Sequence, residues 1–150
     1  MERTLILAKP DALQRSLVGE LIARFERRGL QIVGLKLMRV SPQLAQEHYK
    51  EHKGKAFFQG LVAYITSTPI VALVLEGPAA VEICRNTIGA TDPVSAVAGS
   101  IRGDLALTVG RNLVHGSDSA ASAEREVALF FDKAELLAYD RDMTPWMRET

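Results

Sequence analysis

The chain has 150 residues, 47% of them hydrophobic and 24% charged, the size and make-up of one ordinary domain with a real core, expected to span residues 1–150. Eighteen basic residues balance eighteen acidic ones, so no global field draws it onto nucleic acid or an anionic membrane, and any anion site must be local. The single cysteine, Cys84, forms no internal disulfide, and no apolar run is long enough to span a membrane or serve as a signal-peptide core; the expected location is the cytoplasm.

Thr4 to Ala8 reads as a buried strand stopped by Lys9-Pro10-Asp11. Val18, Leu21, Ile22 and Phe25 then fall at i, i+3, i+4 and i+7, the apolar face of a helix that Gly29 ends. Gln31 to Val40 is the second strand. Ser41-Pro42 opens a helix, hydroxyl as cap and proline at the first position; it is expected to carry Leu44, Ala45, His48, Tyr49 and His52. A short helix presents Phe57, Phe58, Leu61, Val62 and Ile65, and the unbroken apolar run Ile70–Leu75 is a strand buried on both faces. Gly77-Pro78 leads into a helix with Ala80, Val81, Cys84 and Ile88 inward. Gly89 to Gly103 has no clean period, as functional loops often have none. The chain returns through Leu105, Leu107 and Val109 to a short strand, Asp118 or Ser119 caps a last helix with Ala123, Val127, Phe130 and Phe131 inward, and Trp146 is the expected anchor of the tail.

Short strands alternating with helices predict an α+β fold, a β-α-β-β-α-β sandwich with a four-stranded antiparallel sheet and helices on one face. A doubly wound parallel sheet fits the uneven crossovers less well.

The stretch Arg111-Asn112-Leu113-Val114-His115-Gly116-Ser117-Asp118 puts a histidine at the end of a short strand. Alone it is either a half-buried core histidine or a nucleophile, since neutral imidazole keeps a free lone pair near neutral pH. Arg85 and Arg102 flank the irregular loop, with Thr91, Ser95 and Ser100 between them and Lys9 after the first strand. Guanidinium groups and hydroxyls converging from a loop suit an oligophosphate. Neither the dinucleotide fingerprint nor Gly-x-x-x-x-Gly-Lys-Ser/Thr is present, so a phosphate site here depends on side chains.

Those eight residues resemble the signature of the nucleoside diphosphate kinase family. The similarity runs along nearly the whole chain, through Lys9-Pro10-Asp11, His48-Tyr49, Phe57-Phe58-Gln59-Gly60-Leu61-Val62, Gly77-Pro78, Thr91-Asp92-Pro93, Ser100-Ile101-Arg102-Gly103-Asp104 and Ser122-Ala123-Glu124-Arg125-Glu126. The resemblance implies the ferredoxin-like sandwich and a ping-pong transfer of the γ-phosphoryl group from a nucleoside triphosphate to a nucleoside diphosphate. It implies His115 as nucleophile, Glu126 orienting its ring and Ser117 supporting Glu126. Lys9, Tyr49, Arg85, Thr91, Arg102 and Asn112 would bind phosphates and ribose, Phe57 would stack on the base, and Leu61 and Val109 would line the slot. Mg²⁺ would bridge the phosphates with no dedicated protein ligands. The family implies a homo-oligomer, a hexamer favoured here by the long tail, or else a tetramer. Family members often have proline two residues before the Ser/Thr-Ile-Arg-Gly-Asp run; here it is Ala98, which loosens the loop's unfolded state and weighs on assembly more than on chemistry.

Two other readings compete. His48-Tyr49-Lys50-Glu51-His52 matches His-x-x-Glu-His, and on one helix His48 and His52 could share a Zn²⁺ with Glu51 nearby, as in a metalloprotease. Nothing clearly supplies a third ligand. The second is a nucleotide-binding regulator with the same fold and no catalysis, which the retention of every catalytic position argues against.

Overall fold

A computed structural model describes residues 1–149. Four strands, β1 (Glu2–Ala8), β2 (Gln31–Met38), β3 (Ile70–Gly77) and β4 (Val114–Gly116), form one sheet in the order β2-β3-β1-β4, with every neighbour antiparallel. The doubly wound alternative is thereby excluded. The helices are α1 (Pro10–Gln14), α2 (Val18–Arg27), α3 (Pro42–His48), α4 (Phe58–Ile65), α5 (Ala80–Ile88), α6 (Ile101–Leu105) and α7 (Ala120–Phe130).

Helices cover both faces of the sheet, not one. Ile6, Leu73 and Leu75 pack with Leu21 and Phe25 of α2 and Cys84 and Ile88 of α5. Leu5, Leu7 and Val74 pack on the opposite side with Ala45 of α3, Ile65 of α4 and Val127 and Phe130 of α7. The reason is legible in the central strands: Leu5 to Ala8 and Ile70 to Leu75 are buried without alternation, and successive side chains point to opposite faces, so both faces need cover.

Local chemistry sets the ends of the elements. Ser41, Ser100 and Ser119 each cap a helix, accepting from the N–H of Leu44, Gly103 and Ser122; Ser119, not Asp118, caps α7. Helix α3 ends at His48, and Lys50–His52 is a separate turn of 3-10 helix. The tail is not anchored by Trp146, which is 90% exposed. Leu137 donates to the Val33 carbonyl at 2.8 Å, Tyr139 to that of Ile32 at 2.6 Å, and Arg141 to that of Gly29 at 2.9 Å. These carbonyls lie past the end of α2 and on the outer edge of β2, where backbone acceptors lack partners within their own element; Leu137, Tyr139 and Arg141 supply the donors. Leu107 and Val109 are largely exposed, and the return to β4 is a loop with a lone bridge between Thr108 and Arg111.

Candidate active site

Strand register aims His115. In the antiparallel pairing of β1 and β4, His115 lies opposite Leu7, while Val114 and Gly116 lie opposite Ala8 and Ile6. Paired residues share a face, so Val114 joins the core under α2 and α5 and His115 turns toward α3 and α7. Gly116 is needed on the crowded face: a Cβ there would stand 2.6 Å from the Ile88 side chain.

On that side the imidazole Nε2 lies 2.7 Å from Glu126 Oε1 of α7, and Ser117 Oγ donates to the same oxygen at 2.8 Å. Glu126 is 5% exposed. Burial alone would raise its pKa, but the hydrogen bond and charge of His115 and the Ser117 hydroxyl together hold it below the usual carboxylate value. An ionised carboxylate only accepts, so the proton of the ring sits on Nε2 and the Nδ1 lone pair is left free. About a quarter of the His115 side chain is exposed, in a cleft of about 270 Å³ also lined by Tyr49, Arg85, Thr91 and Arg102.

The backbone leading into His115 is strained. Leu113 has φ +74°, and the Val114 N–H bonds back to the Asn112 carbonyl at 2.9 Å, a three-residue turn of the rare left-handed kind. Its polar groups from the Asn112 carbonyl to the Val114 carbonyl are held. The Lys9 N–H takes the Leu113 carbonyl at 2.9 Å, and the Arg102 guanidinium donates to the carbonyls of Asn112 (3.2 Å), Gly89 (3.2 Å) and Val114 (2.6 Å). The Leu113 N–H donates to Asp11 Oδ2 at 3.0 Å, and Tyr64 donates to the other oxygen of Asp11. Arg111 lies over the Tyr64 ring, 4.1 Å from its centroid.

The structure gathers the expected cationic residues, with differences of detail. Lys9 Nζ donates to the Asn112 side chain, whose amide donates in turn to the Thr91 carbonyl at 2.9 Å. Burial pushes the Lys9 ammonium down to about 8, the Arg102 and Arg111 charges adding to the effect and Asp11 opposing it. Arg102 is 4% exposed and is pushed down to about 10 by burial and by Arg85; it braces the loop as well as facing the cleft. Arg85 donates to the Gly116 carbonyl at 3.2 Å. Phe57 is not core: it is 53% exposed and, with Leu61, Tyr64 and Gly110, lines an apolar groove. Val109 adjoins Gly110 and is 52% exposed. At the loop of Ala98, the next residue, Gly99, has φ +95° and donates to Asp104 Oδ1 at 2.8 Å; Arg24 binds the other oxygen of Asp104 and the Gly99 carbonyl.

The His-x-x-Glu-His reading fails on geometry. The break after His48 leaves His48 and His52 on different helical segments. His48 instead packs edge-on against His115, ring centroids 4.8 Å apart, and against Phe130 at 5.3 Å. His52 faces Phe57, ring centroids 5.3 Å apart. Sequence reasoning missed Asp11, Tyr64 and Arg125 as parts of the site. Arg125 is adjacent to Glu126 in sequence and stands 3.9 Å from its carboxylate; Asp11 had a visible signal, an acid directly after Lys9-Pro10.

Comparison with known proteins agrees with this geometry. The family model described as nucleoside diphosphate kinase matches residues 2–136. Nucleoside diphosphate kinases of Pelotomaculum thermopropionicum and Thermomicrobium roseum are each 56% identical, over 99% and 98% of this chain and 100% and 99% of their own. A halophilic nucleoside diphosphate kinase from Halobacterium salinarum, solved in complex with CDP, superimposes with a TM-score of 0.97 at 49% identity over 99% of both chains. A nucleoside diphosphate kinase family protein from Babesia bovis gives 0.97 at 42% identity over 99% of this chain and 100% of its own. With its fold, signature stretch and histidine–carboxylate pair in place, the chain belongs to the nucleoside diphosphate kinase family.

Proposed function

We propose that this protein moves the γ-phosphoryl group of a nucleoside triphosphate, chiefly ATP, to a nucleoside diphosphate by a ping-pong route through phosphohistidine at His115. The observation that carries this is the Nε2–Glu126 pair at 2.7 Å, which leaves Nδ1 as the free nucleophile facing the cleft. In the first half-reaction the Nδ1 lone pair forms the N–P bond as the bond from phosphorus to the β,γ-bridging oxygen breaks, and the nucleoside diphosphate departs. The ring becomes cationic while its proton stays on Nε2, and Glu126 stabilises that charge with Ser117 holding the carboxylate. A second diphosphate then reverses the steps at the same site.

Phosphoryl transfer asks a protein chiefly for alignment and for compensation of charge on the transferring oxygens. A strand-end histidine on a held backbone supplies the first. Lys9, Arg85 and Arg102 supply the second, with Tyr49, Thr91 and Asn112 completing the grip on phosphate and ribose. Phe57 offers one face to any base, with Leu61 and Val109 beside it, so broad base specificity follows. Mg²⁺ fits as a passenger on the nucleotide, whose phosphate charge it neutralises: a hard ion wants several oxygen ligands, and the carboxylates of the cleft besides Glu126 are those of Glu51 and Asp118.

We take residues 1–150 as one catalytic domain acting in the cytoplasm; the one cysteine, Cys84, is free and buried, and no helix among the described residues is long and apolar enough to cross a membrane. A homo-oligomer is supported by β2, an edge strand whose Leu35 and Leu37 are 52% and 69% exposed. A hexamer is the favoured assembly and a tetramer the alternative, to be decided by light scattering.

The test is incubation with γ-labelled ATP and Mg²⁺. The label becomes covalently bound, acid-labile and alkali-stable, and leaves on addition of any nucleoside diphosphate. Labelling and turnover that survive in His115→Ala would overturn the assignment.

A further inference from the structure

One group in the cleft has no role in that chemistry. His48 is 6% exposed, yet neither Nδ1 nor Nε2 has a hydrogen-bond partner. A buried polar group left unpaired costs roughly 1–3 kcal/mol, and an aromatic hydrocarbon would fill the space between Phe130 and the His115 ring without that cost. The orphaned ring is packed against two other ligand groups: one ligand atom each from His48, His115 and Glu126 all lie within 4.8 Å of one another.

We propose that His48, His115 and Glu126 form an inhibitory site for Zn²⁺ or a similar late first-row divalent ion. Two imidazoles and a carboxylate make a recurrent three-ligand zinc set, completed by water in an open fourth position, here on the side of the cleft. Bonds of roughly 2.0–2.2 Å in a tetrahedron put ligand atoms about 3.3–3.5 Å apart, so the set must close by about an ångström, which the partly exposed His115 ring allows by pivoting. Mg²⁺ does not compete, because it prefers oxygen donors. The Arg125 guanidinium beside Glu126 weakens the attraction for a cation, so the site fills when free zinc rises and is not a resident structural centre.

The consequence for His115 follows from its proton. Zn²⁺ takes the Nε2 lone pair once the Nε2 proton has passed to Nδ1, so both rings bind neutral and no net proton is released. Nδ1 then carries hydrogen and has no lone pair to offer phosphorus. The site switches off the nucleophile by reversing its tautomer, and it uses the one histidine of the His-x-x-Glu-His stretch that the fold turned toward His115.

The readout is optical, so it stands or falls separately from the proposed transfer reaction. The chelator-stripped full-length protein is titrated with Co²⁺. One ion binds per chain with the visible ligand-field absorption of a four- or five-coordinate site, and Zn²⁺ abolishes the band. His48→Phe, which keeps the ring shape, weakens binding roughly 10- to 100-fold or more, a loss that even removal of a ligand's supporting partner causes. Glu126→Gln does the same, while His52→Ala and Glu51→Gln leave the band unchanged. Zn²⁺ inhibits phosphate transfer by the wild type and not by His48→Phe. Should His48→Phe not fold, His48→Gln takes its place. Absence of a stoichiometric Co²⁺ band in the wild type, its survival in His48→Phe, or its loss in His52→Ala overturns the proposal.

Discussion

The Asp11 carboxylate accepts the N–H of Leu113 at 3.0 Å, tying the start of α1 to the strained turn that leads into His115. Left-handed backbone at a branched, non-glycine residue costs roughly 1–3 kcal/mol and persists only where its surroundings fix it. Asp11 fixes it from one side, gripped by the Tyr64 hydroxyl, and Arg102 from the other through the Asn112 and Val114 carbonyls. With His115 as the proposed nucleophile, Asp11 is expected to be a positioning residue that acts on the chemistry through the place of His115.

Asp11→Ala therefore leaves a buried N–H unpaired, and stability falls by roughly 1–3 kcal/mol in denaturant titrations. Transfer suffers separately, because a misplacement near 1 Å costs on the order of 100-fold. The loss falls on kcat, with KM for nucleotide nearly constant. Asp11→Asn, which keeps an oxygen for Leu113, recovers part of kcat. A stability loss with unchanged kcat would reduce Asp11 to a structural support.

Glu126→Gln tests the charge of the orienting group apart from its shape. The amide oxygen still accepts from Nε2–H, but no anion would face the proposed cationic phosphohistidine. A hydrogen bond to a charged partner is worth roughly 1.5–3 kcal/mol, so kcat falls about 10- to 150-fold, with KM little altered. Rapid-quench measurement of the first half-reaction reads the effect directly.

How far the sequence reached follows from the kind of physics each residue obeys. Strands β1 and β3 and helices α2 and α5 were legible, because an apolar run or a 3.6-residue period reports local burial directly. The pairing of His115, Ser117 and Glu126 came from the family resemblance and agrees with the distances found. Both-face cover is implicit in the unbroken burial of Leu5 to Ala8, but the β-α-β-β-α-β order alone predicts cover on one face. The end of α3 at His48 has no proline or glycine to mark it until Gly54, so the sequence pattern extends the helix one turn past its true end. Trp146 is exposed, and the tail is held by hydrogen bonds to carbonyls whose need arises only once α2 has ended and β2 is an edge. The partners of Asp11 lie 53 and 102 positions away, and no local pattern announces such a contact.

Burial pushes the His48 ring down to about 3 from its ordinary 6.5, with His115 adding to the shift and Glu126 opposing it. Between those values the unfolded chain holds a proton that the folded chain lacks, so folding is penalised as pH falls from 6.5 toward 3. The steepest slope this one group adds is about 1.4 kcal/mol per pH unit. Melting temperatures of wild type and His48→Phe, taken in chelator across pH 7 to 4, diverge accordingly: the variant loses less stability on acidification. Parallel curves would mean that His48 is protonated alike in both states.

The Lys9 ammonium is pushed down to about 8 chiefly by burial; with Lys9 in its proposed grip on phosphate, nucleotide binding is expected to have an alkaline limit. Below that value the free enzyme presents the cation, and above it the charge facing the phosphates is lost. KM for the diphosphate therefore climbs above pH 8, by up to roughly tenfold per unit while binding requires the protonated form. Lys9→Arg, with a guanidinium that stays charged, flattens the rise even where its different shape lowers the maximum rate.

Phe57 separates stacking from base reading. Half of it is exposed, and its near neighbours are the His52 ring, 5.3 Å away, and the Lys55 ammonium, 5.6 Å away, so Phe57→Ala leaves folding within roughly 0.5 kcal/mol. Stacking on an aromatic ring contributes roughly 1–3 kcal/mol per base, so KM rises about 5- to 150-fold for each nucleoside diphosphate. Because the ring offers a π-face and no hydrogen-bond pattern, purines and pyrimidines lose affinity together, the purines somewhat more for their larger overlap. Steady-state kinetics with the four common diphosphates read both the size and the evenness of the loss. A loss confined to one base would mean that the groove reads base edges and that Phe57 sets specificity.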